Sequence, residues 1–266
     1  MSGSTIANGR SGLVELERDG RVAWVRLNRP EKLNALSREL VAALHGALAP
    51  FAGETGVAAI VLSGNGRCFS TGADVNLLRE LDGTSGRAFI TALHELMAAI
   101  RALPQIVIAA VHGYCFGGAA ELAAACDLRI AADSARFGMP EIKVGLPSVI
   151  EAALFVPLVG LGRAADFVLT GDEWDAPTAE RYGLVTRVVP AELLGAESTR
   201  LAQQIAGFSG PALRLQKELI RAWTGEAVDR AIERGIAVFA RAYDTPNPRE
   251  ALDALRERRA PRFSVE

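Results

Sequence analysis

Two glutamates have surroundings that suit acid/base chemistry. Glu121 is the single charged residue in the run Ala119-Ala120-Glu121-Leu122-Ala123-Ala124-Ala125, so its carboxyl group is expected to be partly buried. Burial disfavours the charged form and raises a carboxyl pKa into the range useful for proton transfer near neutrality. Glu141 lies in Phe137-Gly138-Met139-Pro140-Glu141, expected to be a loop entered by a turn. Two carboxyl groups brought near one water can divide the labour, one as base and one as acid. The residues alone leave plainer readings open. Glu121 could be a first-turn glutamate favoured by a helix dipole, and Glu141 a solvated loop charge.

Two glycine-rich turns could supply a second element of chemistry. The first is Ser70-Thr71-Gly72-Ala73-Asp74, and the second is Gly113-Tyr114-Cys115-Phe116-Gly117-Gly118-Ala119-Ala120-Glu121. Each follows a buried strand and opens a helix, where backbone N–H groups lack intrahelical acceptors and can hold an anion or a developing oxyanion. The same composition also suits an ordinary tight strand–helix turn. Three other signals carry less. Gly160-Leu161-Gly162-Arg163-Ala164-Ala165 matches G-x-G-x-x-A but follows a helical run containing Pro157, not a strand, which argues against a dinucleotide site. No G-x-S-x-G elbow is present. His112, just before the second turn, is expected to be a buried, hydrogen-bonded histidine and not a base.

The elements that must position these residues follow from periodicity. Residues 13–17 and 21–28 read as strands around the turn Asp19-Gly20. Ser37 caps a helix carrying Leu40, Val41, Leu44 and Leu48. Val57–Leu62 and Ile106–Val111 read as short buried strands, and Leu128–Ala131 as another. Thr84–Leu103 has helical spacing at Ile90, Leu93, Leu96, Met97 and Ile100 and stops before Pro104. Strands alternating with helices predict an α/β fold with a mainly parallel sheet. Beyond about residue 190 only helices are expected, near 191–206, 210–223, 225–241 and 248–258. Their amphipathic patterns, without enough apolar residues for a separate core, predict a partner-facing layer. The division is thus an α/β core over 1–190, with residues 1–12 a flexible tail, and a helical oligomerisation region over 191–266.

Composition narrows the class. A chain of 266 residues with a formal charge of −2 lacks the basic footprint of a nucleic-acid binder, and its few aromatics offer no base-stacking surface. Cys68, Cys115 and Cys126 form no C-x-x-C pair, and His45, His94 and His112 are too scattered for a zinc site. A reducing cytoplasm fits this cysteine usage. Neither a signal peptide nor a membrane span is visible in the sequence, so no membrane partner is expected.

Several motifs in order resemble the crotonases, the enoyl-CoA hydratase/isomerase superfamily, over about residues 13 to 263. They are Asn28-Arg29-Pro30-Glu31-Lys32-Leu33-Asn34-Ala35-Leu36, Phe69 through Asp74, Gly113-Tyr114 through Glu121-Leu122, Cys126-Asp127-Leu128, and Phe137 through Glu141. The resemblance implies a spiral of ββα units with a C-terminal helical region that builds homotrimers, often paired into hexamers. It implies an acyl-CoA thioester as substrate and no metal or redox cofactor. It further implies that the Ala73 and Gly118 amides hold the thioester oxygen and that Glu121 and Glu141 are catalytic. Ala35, Leu36, Gly72, Asp74, Gly117 and Pro140 would contact substrate, and Arg258 would approach the coenzyme's phosphates. The expected reaction is reversible syn addition of water to a 2-enoyl-CoA, with Glu141 protonating the α-carbon. Isomerisation, decarboxylation or thioester hydrolysis on the same scaffold, or a non-catalytic CoA- or RNA-binding role, are the alternatives. One segment departs from the family pattern. Where a glycine-rich stretch is usual, this chain has Ser148-Val149-Ile150-Glu151-Ala152-Ala153. Glu151 there reads as a favourable first-turn charge.

Overall fold

Strands whose apolar residues run without a break need a cover on both faces, and the topology supplies one. The computed structural model describes residues 12–225, 230, 234–235, 238–239, 241 and 244–264. Its main sheet has six strands in the order β1-β2-β3-β4-β6-β9. They are β1 (Val14–Asp19), β2 (Val22–Leu27), β3 (Ala59–Gly64), β4 (Ile106–Val111), β6 (Leu128–Ala132) and β9 (Arg187–Val189). Only β1 and β2 pair antiparallel, through the Asp19-Gly20 turn; every other neighbouring pair is parallel. Three short strands, β5 (Tyr114–Phe116), β7 (Arg136–Gly138) and β8 (Trp174–Asp175), form a second sheet.

Side chains alternate between two apolar clusters. Val25, Leu27, Ile60, Leu62, Val107, Ala109 and Val111 face one side, against α1 (Arg38–Leu48), α3 (Gly83–Ala102) and α4 (Gly118–Ala125). Val22, Ala59, Val61, Ile108, Ala110, Ile130 and Ala132 face the other. That second face is covered by Leu194, Leu201, Ala202 and Ile205 of α8 (Leu194–Ala206). The 190/191 boundary drawn from the sequence therefore runs through one apolar cluster that both sides build. Beyond α8 lie α9 (Gly210–Trp223) and α10 (Asn247–Glu257). Lys217 of α9 is itself buried. Its Nζ donates to Asp127 Oδ2 at 2.7 Å and to the Gln105 carbonyl at 2.8 Å, tying α9 to the strand β4–β6 end of the core. The tail expected over 1–12, apart from Gly12, and much of the helix expected over 225–241 lie outside the described residues.

The remaining helices sit between the strands. α2 (Val75–Glu80) starts at Asp74, whose carboxylate caps the Asn76 amide, and α3 starts with a capping box between Asp82 and Ser85. α5 (Phe155–Val159), α6 (Leu161–Thr170) and α7 (Ala176–Tyr182) follow the second sheet's β7. Gly160 links α5 to α6, so the G-x-G-x-x-A match joins two helices and follows no strand. Glu141 is not on an open loop as expected. It occupies the 3-10 turn Pro140–Val144, which leaves β7 directly because Pro140 fixes the backbone for a helical start.

Candidate functional site

The parallel register of β3 and β4, with Ile60 opposite Val107 and Leu62 opposite Ala109, brings their carboxyl ends side by side. The loops that leave them are the two glycine-rich turns, and in open α/β sheets this end is where ligands bind. Phe69 N–H donates to the His112 carbonyl at 2.8 Å, Ser70 N–H to Tyr114 at 3.0 Å, and Phe116 N–H back to Ser70 at 3.3 Å. The loop before α1 joins them. Leu36 N–H donates to Gly72 at 2.8 Å and Asp74 N–H to Leu36 at 3.2 Å. Gly72 has φ +82°, and a Cβ there would collide with the Phe116 carbonyl and stand 3.3 Å from Gly118 N. Glycine thus permits the two turns to touch. At that contact the N–H groups of Ala73 and Gly118 have no protein acceptor among the described residues. Gly118 opens α4, so the helix dipole adds to its amide. Two such amides side by side can hold an oxyanion.

Three side chains keep this geometry. Arg29 Nη1 donates to Asp74 Oδ2 at 2.6 Å and to the Ala35 carbonyl at 3.0 Å, holding the Asp74 carboxyl below its ordinary range. Asn34 is fully buried at φ +54°; it accepts from Arg29 N–H and donates to the Asn65 and Cys68 carbonyls, both at 2.9 Å. Ser70 Oγ donates to the Asn34 carbonyl at 2.7 Å and accepts from Gly72 N–H. The sequence marks these residues only as motif members. A polar Asn34 between Leu33 and Leu36 was the available signal, since a buried amide must satisfy several hydrogen bonds.

The carboxyl groups meet across the same turn. Every residue of α4 is buried, Glu121 included. Its Oε1 accepts from Ala152 N–H at 3.0 Å. Burial, then the charge of Glu141, then that of Glu151, push Glu121 up to about 8. Glu141 is half-buried and also raised, chiefly by burial, with Ser148 Oγ 3.5 Å from its Oε2. The charge of Glu141 thus helps to hold the proton on Glu121. Gly117, at φ +53° and ψ −128°, lies against the Glu141 carboxylate, and a Cβ there would strike Glu141 Oε1.

The structure thus brings Leu36, Gly72, Ala73, Asp74, Gly117 and Gly118 together where the turns touch, with Glu141 against Gly117, Glu121 one helical turn on from Gly118, and Ala35 half-buried beside Leu36. Pro140 is exposed at the start of the Glu141 turn. Arg258 is exposed in the left-handed turn that ends α10 and has no contact with the carboxyl pair. His112 is half-buried and not buried as expected, with Nε2 3.1 Å from the Gly66 carbonyl. Glu151 does lie in the first turn of the 3-10 segment Ile150–Leu154, as expected, but it is 3% exposed, with His94 and Arg101 of α3 as partners. Among the described residues no cluster of three or more His, Cys, Asp or Glu side chains could hold a metal, and no helix is long and apolar enough to cross a membrane.

The family model for enoyl-CoA hydratase/isomerase matches residues 17–266. The chain belongs to this family. Among family members, the probable enoyl-CoA hydratase of Mycobacterium tuberculosis is 37% identical over 260 residues, covering 94% of this chain and 97% of its own. The short-chain-enoyl-CoA hydratase of Clostridium acetobutylicum is 33% identical, covering 92% and 95%. The crystal structure of an enoyl-CoA hydratase from Bacillus anthracis superposes with a TM-score of 0.92 at 30% identity, covering 96% of this chain and 100% of the other. The family fold expected from the motifs is therefore the fold observed.

The raised Glu121 has a consequence for stability. Its carboxyl titrates near 8 when folded and near 4.5 when free, so between those values the folded state binds more protons than the unfolded. Stability then falls as pH rises through this window, by at most about 1.4 kcal/mol per unit from this group. Glu121→Gln removes the titration. Thermal melts from about pH 5 to about pH 8 are expected to decline less steeply for the variant than for the parent. Parallel declines would show that Glu121 titrates as a free carboxyl.

Proposed function

We propose that this protein is an enoyl-CoA hydratase that adds water reversibly and syn across a 2-enoyl-CoA, giving a 3-hydroxyacyl-CoA. The observation that carries the reading is the proximity of two amides, at Ala73 and Gly118, with no protein acceptor among the described residues, to two carboxyl groups whose ionisation burial opposes. Relatives with hydratase names over nearly the full chain support it.

In this reading the thioester oxygen accepts from Ala73 and Gly118 N–H. Charge moves onto that oxygen as water attacks the β-carbon, and fixed amides lower the barrier because they need no reorientation. Water oxygen bonds to the β-carbon while its proton passes to the ionised carboxylate Glu121. Glu141 gives its proton to the α-carbon as the enolate collapses. The proton that burial and the Glu141 charge hold on Glu121 crosses to Glu141 through the bound water before addition. The next turnover begins with the same single proton on the pair. The thioester carbonyl itself makes the α-carbon acidic, and no redox change occurs. Leu36, packed beside Gly118 and Leu93, lines the acyl side, and Ala35, Gly72, Asp74, Gly117 and Pro140 complete the substrate contacts. Arg258 is proposed to meet a coenzyme phosphate at the surface. Three unpaired buried thiols accord with a cytoplasmic setting.

We also propose that residues 191–266 contribute to a homotrimer or a hexamer of two trimers. Support comes from large apolar side chains left exposed on helices: Ile220 and Trp223 on α9, Leu252 on α10, and Leu161 and Leu169 on α6. Light scattering at micromolar concentration is expected to give three or six times the chain mass of 28.2 kDa. A monomer would contradict this.

Hydration is tested by following oxygen. In labelled water, the 3-hydroxyacyl-CoA product is expected to carry ¹⁸O on the β-carbon. Glu121→Gln and Glu141→Gln should each slow incorporation by roughly 10²–10⁴ while melting normally. Rapid double-bond shift of a 3-enoyl-CoA without ¹⁸O uptake by any 2-enoyl-CoA would replace hydration with isomerisation.

A further inference from the structure

The segment that departs from the family's glycine-rich pattern holds a buried charge that water addition does not itself use. Glu151 lies on the 3-10 turn Ile150–Leu154 and is 3% exposed. The residue before it, Ile150, has φ +46°, a conformation that a β-branched side chain resists, so the turn must be held by contacts outside itself. Those contacts come from α3. His94 Nδ1 is 3.0 and 3.2 Å from the two Glu151 carboxylate oxygens, and Arg101 Nη1 is 3.6 Å from Oε1. His94 and Arg101 are two helical turns apart and share one face of α3.

The residue after Glu151 reaches the carboxyl pair. Ala152 N–H donates to Glu121 Oε1 at 3.0 Å and also to the Val149 carbonyl at 3.0 Å, closing the turn. Glu121 is faced by Glu141 from the Pro140–Val144 turn, by Glu151 and by the Ala152 amide. Glu151 is faced in turn by His94 and Arg101. A continuous line of contacts thus runs from α3 through Glu151 and its strained turn to the carboxyl of Glu121.

We propose that Glu151, fastened by His94 and Arg101, is a positioning residue that aims the Glu121 carboxyl through the Ala152 amide. The role rests on the hydration reading above. Glu151 also places a like charge near Glu121, so neutralising it should let Glu121 ionise at lower pH.

The test is Glu151→Gln, which keeps the shape and removes the charge. Turnover is expected to fall about tenfold or more with KM within about twofold, because orientation and not binding is lost. ¹³C-carboxyl NMR, with the Glu121 signal identified by its loss in Glu121→Gln, should show Glu121 titrating at lower pH in Glu151→Gln. Arg101→Met should lower turnover and Arg101→Lys restore it. Unchanged turnover in Glu151→Gln overturns the proposal, whether or not the titration moves. So does a loss of turnover that tracks a lower melting temperature while the Glu121 titration stays in place. If the parent fails to hydrate any 2-enoyl-CoA, the hydration reading falls, and the NMR titration alone decides whether Glu151 governs Glu121.

Discussion

Two peptide turns pressed together without a side chain between them make the rest of this site possible. Gly72 lies against the Phe116 carbonyl and next to Gly118 N, closer than any Cβ allows. That contact brings the Ala73 and Gly118 amides side by side, and neither has a protein acceptor among the described residues. A surrounding network holds the two turns in this contact. Arg29 with Asp74, Asn34 with the 65–68 loop, and Ser70 with Gly72 all fasten the turns from behind. Parallel pairing of β3 with β4 delivers both loops to the same edge.

The carboxyl pair obeys a related constraint. An alanine-rich α4 can be buried along its whole length, which brings Glu121 into a poorly solvated position directly after the oxyanion turn. Gly117 gives Glu141 room to approach from the other side. Burial and the charge of Glu141 both oppose ionisation of Glu121. The arrangement weakens the fold as pH rises toward the value at which Glu121 ionises. Such local conflict with stability is expected where a site performs chemistry.

Much of this was legible in the sequence because it depends on local pattern. The buried strands, the Ser37 cap and the long α3 follow from periodicity and capping residues. Glu121 announced itself by being the one charge in an apolar run. What escaped depends on distant partners. Strands β5, β7 and β8 have two or three residues each, too few to show alternation. The burial of Glu151 was not legible because its partners His94 and Arg101 precede it by 57 and 50 residues. The amphipathic pattern of α8 revealed an apolar face but not its cover, which is this chain's own sheet. Ile150 in a left-handed conformation could not be foreseen from a residue type that avoids it.

The role proposed for the Ala73 and Gly118 amides is to polarise a thioester carbonyl. Isotope-edited infrared spectroscopy on a 2-enoyl-CoA labelled with ¹³C at the thioester carbon reads that polarisation directly, with the slow Glu121→Gln variant holding the substrate in place. The account predicts that the bound carbonyl stretch moves to lower frequency than in water, as two fixed N–H donors draw charge onto the oxygen. A bound substrate, saturating by calorimetry, whose carbonyl absorbs at its solution frequency would contradict it.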